Sequence, residues 1–295
     1  MSKKTINILS GIFVLLLAVF IWPTLSEFIG ERLGSNKGQS LVSVGADVVN
    51  KVVITQGVET VTLEKKDTVW RVGEYEVDGE KITSLLTGLA DIETKQIVSR
   101  NKENHSQYMV DETGGLTVTI SHDGNDTTII VGKSGSAAGT YYIRKKDSDD
   151  VYLAEGALRN EITATDRVWI DKTLVKAEKD KIVKVEVTGA QTFTLEKKDS
   201  TWKRNEKGSE TELTSDQADP ILASLSSLSG YDIGTDDEKK TFDSAKQKIT
   251  VRVFTEGTDT PQEFTAVKIE QDYLAKRTDR TAIVKISATS VDSLL

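Results

Sequence analysis

Cysteine is absent from all 295 residues, which excludes disulfides, thiolate metal sites, a cysteine nucleophile and the lipid-bearing cysteine of a lipoprotein. Histidine occurs twice, leaving little for zinc ligation or imidazole acid–base chemistry. Positive charge is also short. Against 46 Asp and Glu there are 38 Lys and Arg, a formal net charge of −8. A nucleic-acid binder needs a cationic face to displace counterions from phosphate, so that class is set aside. Hydrophobic residues make up 37% and charged residues 28%, a polar, foldable chain and not a polytopic membrane protein. The length suits about two domains.

The one long apolar run lies at the start, from Ile6 to Trp22 behind Lys3 and Lys4. Seventeen helical residues reach about 25 Å, short of the ~30 Å hydrocarbon core; extension through Leu25 to Phe28 closes the gap. Trp22 suits the interfacial belt, and the lysines put the amino terminus on the cytoplasmic side. A cleaved signal peptide is the rival reading, but Trp22-Pro23-Thr24-Leu25-Ser26 offers no small-x-small cleavage site. Residues 1–29 are therefore read as a transmembrane anchor, with everything after residue 30 exported. Residues 30–46, rich in glycine and serine, read as a flexible stalk.

The remainder reads as one unit written twice. Gly57–Trp70 (GVETVTLEKKDTVW) and Gly189–Trp202 (GAQTFTLEKKDSTW) are identical at nine of fourteen positions without a gap. Leu116-Thr117-Val118 matches Ile249-Thr250-Val251, and Gly124, Asp126 and Thr127 match Gly257, Asp259 and Thr260. Val151-Tyr152-Leu153 resembles Val284-Lys285-Ile286. Period-two alternation around Val61-x-Leu63, Val185-x-Val187 and Phe193-x-Leu195 predicts half-buried antiparallel strands. An apolar stripe of Ile82, Leu85, Leu86, Leu89 and Ile92 predicts a helix capped by Asp78. In the second copy Thr214-x-x-Gln217 is a capping box, Pro220 is placed in the first turn, and Ile221, Leu222, Leu225 and Leu228 form the stripe. Hairpins follow across Asp123–Asp126 and Asp147–Asp150, and a short helix near Glu155–Glu161 closes the unit. The expected fold class is α+β: the transmembrane helix, then two tandem repeats, each a mainly antiparallel sheet with one packed helix and a short closing helix. The first repeat spans 47–164 and the second 180–295. A connector, 165–179, is docked through Val168, Trp169, Ile170, Leu174 and Val175.

Motifs that carry chemistry are scarce. Gly132-Lys133-Ser134 imitates the tail of a phosphate loop, but Thr127 stands where its first glycine belongs, so a β-turn is the better reading. His105 and His122 lack partners in ligand spacing and read as solvated loop residues. Asp147, Asp149 and Asp150, like Asp236-Asp237-Glu238, lack the calcium-loop pattern and read as solvated turns. Trp70 and Trp202, duplicated on alternating strands, read as the largest piece of each core; Lys65-Lys66 and Lys197-Lys198 read as solvated hairpin ends. No catalytic, cofactor-binding or metal-binding residue is assigned.

A set of spaced strings resembles a known family: LEKKDTVWRV from Leu63, then Tyr108-Met109-Val110-Asp111, Ile130-Val131-Gly132-Lys133, Tyr141-Tyr142-Ile143-Arg144, Val151-Tyr152-Leu153 and Asp166–Leu174. They are similar to the bacterial family labelled domain of unknown function 4340. Tyr108-Met109-Val110 replaces that family's usual tyrosine-glycine-leucine, and proline is scarcer than usual, the marks of a divergent member. The resemblance implies a single-pass or signal-bearing protein, often encoded beside ABC-2-type or gliding-motility-type transporter components, with no established activity and no functional residues to carry over.

The expected function is therefore a non-catalytic, membrane-anchored extracytoplasmic binding or scaffold protein. It would be an accessory subunit of a membrane transporter or cell-envelope complex, with no nucleic acid among its partners. The alternative is an extracytoplasmic carbohydrate-binding protein or hydrolase using carboxylates in the groove between the repeats. Open edge strands that accept a partner strand are compatible with the first reading.

Overall fold

The computed structural model describes residues 41–42, 44–189 and 191–294. The anchor assigned to residues 1–29, and the stalk as far as residue 40, lie outside them. Among the described residues no helix is long and apolar enough to cross a membrane.

Alternating β-branched and polar residues form strands, and turn residues break them at short intervals. In the first half these are β1 (Val49–Gln56), β2 (Glu59–Lys66), β3 (Val69–Val72) and β4 (Tyr75–Glu76). Helix α1 (Gly79–Ala90) follows, then β5 (Glu93–Ser99), β6 (Leu116–His122), β7 (Asn125–Ser134), β8 (Thr140–Lys145) and β9 (Val151–Glu155). The short α2 (Leu158–Glu161) closes this half, α3 (Asp166–Trp169) and β10 (Thr173–Lys176) link it to the next. The second half runs β11 (Ile182–Thr188), β12 (Phe193–Lys198), β13 (Thr201–Glu206), β14 (Ser209–Leu213), α4 (Ser215–Ser226), β15 (Ser227–Ser229) and β16 (Asp232–Ile233). Helix α5 (Asp236–Ser244), β17 (Ile249–Thr255), β18 (Gln262–Lys268), β19 (Asp272–Arg277), β20 (Ile283–Ser287) and α6 (Ala288–Asp292) complete it.

Two nine-stranded sheets result, ordered β4-β3-β2-β1-β6-β7-β8-β9-β5 and β14-β13-β12-β11-β17-β18-β19-β20-β16, and β10 pairs with β15 in a third, small sheet. Every pairing is antiparallel. The alternation fixes the register. Val52 stands between Leu63 and Ile120, and Ile54 between Val61 and Val118, so one face of the central strands is wholly apolar. In the second half Val185 likewise stands between Leu195 and Val253. The β6–β7 hairpin turns on Asp123 and Gly124, both at positive φ, the two-residue geometry that suits the strand twist.

Helix α1 begins where the Asp78 carboxylate accepts from the Glu80 and Lys81 amides at 2.9 and 3.2 Å. It buries Ile82, Leu85, Leu86 and Leu89, each contributing about 1.5–3 kcal/mol of hydrophobic stabilisation. Its Gly88 faces α2, 3.5 Å from Leu158 Cδ1 at the place a Cβ would take, an ordinary packing distance. Helix α4 starts at the Thr214–Gln217 box, the Gln217 amide oxygen accepting from the Thr214 N–H at 3.0 Å, and buries Ala218, Leu222 and Leu225. Pro220 is the sixth helical residue, in the second turn and not the first. Asp236-Asp237-Glu238, expected as a solvated turn, open α5, which Thr235 and Glu238 cap and Phe242 anchors. Packing begins before residue 47. Leu41 and Val42 are 3% and 2% exposed and join a cluster of buried side chains that reaches Leu294 and runs through both halves.

Candidate functional site

The connector docks on the open edge of the first sheet. Ile170 bridges to Val77, the Asp171 N–H donates to the Glu76 carbonyl at 2.9 Å, and the Asp78 N–H donates to the Trp169 carbonyl at 2.8 Å. Trp169 is 1% exposed, and its indole N–H donates to the Thr163 carbonyl at 3.1 Å. Ile170, Leu174 and Val175 are buried too; the Val168 side chain is 41% exposed, and only its carbonyl takes part, accepting from Lys81 Nζ at 2.6 Å.

Charges lock this junction to the second half. Arg280 pairs with Glu76 and reaches Asp171 at 3.6 Å, and Arg71 lies 3.9 Å from Glu76 on the other side. Thr281 donates to the Glu74 carbonyl, Arg167 pairs with Asp232 at 3.3 Å, and Lys239 sits over the Tyr75 ring. Burial pulls the Arg280 and Lys172 cations below their ordinary values. Converging Glu76 and Asp171 are thus already neutralised by arginine.

The corresponding edge of the second sheet is β14. Glu206 and Ser209 flank the two-residue Lys207-Gly208 turn, so the ladder alternation directs the Glu210 and Glu212 backbone groups outward. Lys203 faces Glu212 as Arg71 faces Glu76, so Glu212 holds the place that carries Asp171 in the first half. Residues 209–212 are exposed. Beside them, Trp202, Leu213, Leu222 and Lys179 line a hollow of about 340 Å³.

The residues singled out from sequence divide clearly. Trp70 and Trp202 occupy matching ladder positions, opposite Lys65 and Lys197, yet both are only half-buried at the rim of the core. The largest fully buried side chains are Trp169, Tyr141, Phe193 and Phe264, and the rim position follows from the closeness of β3 and β13 to the sheet edges. Lys65-Lys66 and Lys197-Lys198 are exposed hairpin ends. Gly132-Lys133-Ser134 is the end of β7 and not a turn: a Cβ on Gly132 would sit 2.3 Å from the Tyr108 carbonyl, whose segment lies against it. His105 is buried, at 5% exposure, and its Nε2 lies 3.1 Å from the Asp149 carbonyl. His122 ends β6 beside its turn.

Arg144, which sequence reasoning did not single out, organises that region. At 6% exposure its Nε donates to the Val110 carbonyl at 2.7 Å, and Nη1 donates to the carbonyls of Lys145, Lys146 and Ser148. Burial lowers its pKa. One arginine thereby ties the Asp147–Asp150 turn to the Tyr108–Asp111 string. In sequence Arg144 is followed by Lys145 and Lys146, so its charge does not stand out from the polar end of the strand.

Wherever a carboxylate is displaced it moves down, because donors hold its charged form: Lys203 at Glu210, Lys239 at Asp236, Lys285 at Glu238, Arg252 at Glu263, and the Thr113 hydroxyl at Asp111. A general acid needs the opposite displacement. Among the described residues no three His, Cys, Asp or Glu side chains group as metal ligands.

The family model for the domain of unknown function DUF4340 matches residues 52–247. The chain belongs to this family. No curated protein and no solved structure matches it. The match opens in β1 and ends beyond α5, so it embraces the first sheet, the connector and the edge strands of the second.

Proposed function

We propose that this DUF4340 member is a non-catalytic accessory or scaffold protein, anchored by its N-terminal apolar segment, with residues beyond 30 on the extracytoplasmic side. Its two halves are copies of one unit. Support for the duplication comes from the shared LEKKD string, the equal strand order of the two sheets and the matched Lys65–Trp70 and Lys197–Trp202 pairs. The partner is a membrane transporter of the ABC type or an envelope protein, as the family resemblance implies.

One observation carries the contact-based reading. The first sheet binds the extended Ile170–Asp171 segment at its β4 edge, while the corresponding β14 edge carries exposed residues Glu210 and Glu212. An extended segment of the partner adds to β14 by strand pairing. Substituting Glu212→Pro removes one outward N–H and leaves the β13–β14 ladder intact. Copurification from gently solubilised membranes should yield a stable partner with the native chain and a depleted one with Glu212→Pro. Recovery of the intact chain alone from such membranes would refute the accessory role; undiminished capture by the variant would refute the edge assignment.

The hydrolase alternative draws on the carboxylates between the halves, but Glu76 and Asp171 are paired with arginine.

A further inference from the structure

Tyr141 on β8 and Tyr273 on β19 hold corresponding positions in the two sheets, and they are 1% and 2% exposed. Their hydroxyls are treated differently. Tyr273 donates to the Asp292 carboxylate at 2.8 Å. Asp292 directly follows Val291, the buried residue of α6. In the first half, the residue directly following Leu158, the buried residue of α2, is Arg159. No such carboxylate meets Tyr141: among the described residues its hydroxyl has no hydrogen-bond partner. Buried hydroxyls without partners are rare because desolvation then goes uncompensated.

Arg159 is held by its Nε, which donates to the Gly132 carbonyl at 2.8 Å, and among the described residues it forms no ion pair. Its remaining N–H groups are free to meet an anion in bidentate fashion. Tyr141 and Arg159 both line a groove of about 260 Å³ whose other polar walls are Ser134, Ser136, Thr140 and Asn160. Four of these six side chains carry hydroxyls; Thr140 already donates to the Ala137 carbonyl at 2.6 Å, which leaves those of Tyr141, Ser134 and Ser136 as donors to an oxyanion.

We propose that this groove binds a small oxyanion, the phosphate or carboxylate group of a soluble ligand, with the Tyr141 hydroxyl and the Arg159 guanidinium as its principal donors. The ligand supplies in the first half the acceptor that Asp292 supplies in the second. Because the Tyr141 oxygen is closed to bulk water, the exposed turn at 136–139 yields as the ligand enters. Burial pushes the Tyr141 pKa up to about 12, so its donor proton is retained at every physiological pH. The site is independent of the partner-binding edge at β14 and stands or falls separately.

Thermal shift and calorimetric titration of the full chain with inorganic phosphate and with acetate, at constant ionic strength, test it. Saturable binding of one of them is expected, and which one binds separates the phosphate from the carboxylate source. Arg159→Ala should weaken binding about tenfold or more. Tyr141→Phe should weaken it several-fold and, by deleting an unpartnered polar atom, should raise the melting temperature of the unliganded protein. Lack of saturation by either anion at tens of millimolar overturns the proposal, as does unchanged affinity in both variants. A lower unliganded melting temperature for Tyr141→Phe also overturns it, since the hydroxyl would then be satisfied by a permanent buried water.

Discussion

Arg280, in the turn between β19 and β20, pairs with Glu76 of β4 and so joins the far end of the second sheet to the edge of the first. Glu76 lies between two guanidinium groups, with Arg71 on its own sheet at 3.9 Å, and its backbone carbonyl holds the connector through Asp171. One residue therefore serves the hairpin, the connector and the junction between the halves. That concentration ties the two sheets and the connector together at one point.

Replacing Glu76 by Gln should loosen the junction without emptying it. The partners are 18% and 27% exposed in their side chains, so water screens the pair and the expected loss is about 1–2 kcal/mol. Urea midpoints measure that loss, and limited proteolysis should show faster cleavage between residues 171 and 181. A variant with wild-type midpoint and cleavage pattern would show that apolar packing alone sets the relation.

Arg144→Leu should cost more, about 2–4 kcal/mol, because four backbone carbonyls lose their donor inside a partly closed loop. Arg144→Lys keeps the charge but has no planar fork and should fall between the two. Hydrogen exchange at residues 105–111 and 146–150 reads the effect directly. Equal protection in wild type and Arg144→Leu would rule out the organising role.

Stability should fall at both ends of the pH scale, for opposite reasons. Glu263 and Asp111 are depressed in the folded chain, by Arg252 and by the Thr113 hydroxyl respectively. Their contribution is complete above their ordinary values of 4.5 and 3.8, and it is lost as pH falls through the lower native values. Tyr273 is raised to about 12, first by burial and then by its bond to Asp292. Its contribution is complete below its ordinary value of 10.0 and is lost as pH rises through about 12. Urea midpoints of Glu263→Gln and Tyr273→Phe should be flatter than wild type at the acid and alkaline ends respectively. Parallel curves would assign the pH dependence to other groups.

Local pattern carried most of the fold. Alternation located the strands around Val53, Leu63, Val118 and Val185, and the stripe from Ile82 to Ile92 with its Asp78 cap located α1, though Ile92 falls beyond the helix end; both signals depend on neighbours within a few residues. Phe242 and α5 escaped notice because that helix is mostly charged and buries Phe242 alone. The candidate sites were harder to read. His105 reads as solvated in sequence and Arg144 does not stand out there; the carbonyls of Asp149, Val110 and Ser148, brought in by loops outside the strands, satisfy them. Nothing local distinguishes Tyr141 from Tyr273 either; the distinction lies in the Asp292 carboxylate that α6 brings to Tyr273 and that Tyr141 lacks.

The sequence by itself determined that thiol chemistry is absent, that imidazole chemistry has almost no basis, that antiparallel strands dominate, and that a fourteen-residue string recurs at Gly57 and Gly189. These are properties of composition and of short-range periodicity, which the chain carries whether folded or not. Only the tertiary structure decided which edge is covered by Trp169–Asp171, that Glu76 meets Arg280, and that Arg159 stands beside a hydroxyl with no acceptor. Those pairings join residues far apart in the chain, and their energies come from burial and desolvation, quantities that exist only once the sheets have packed.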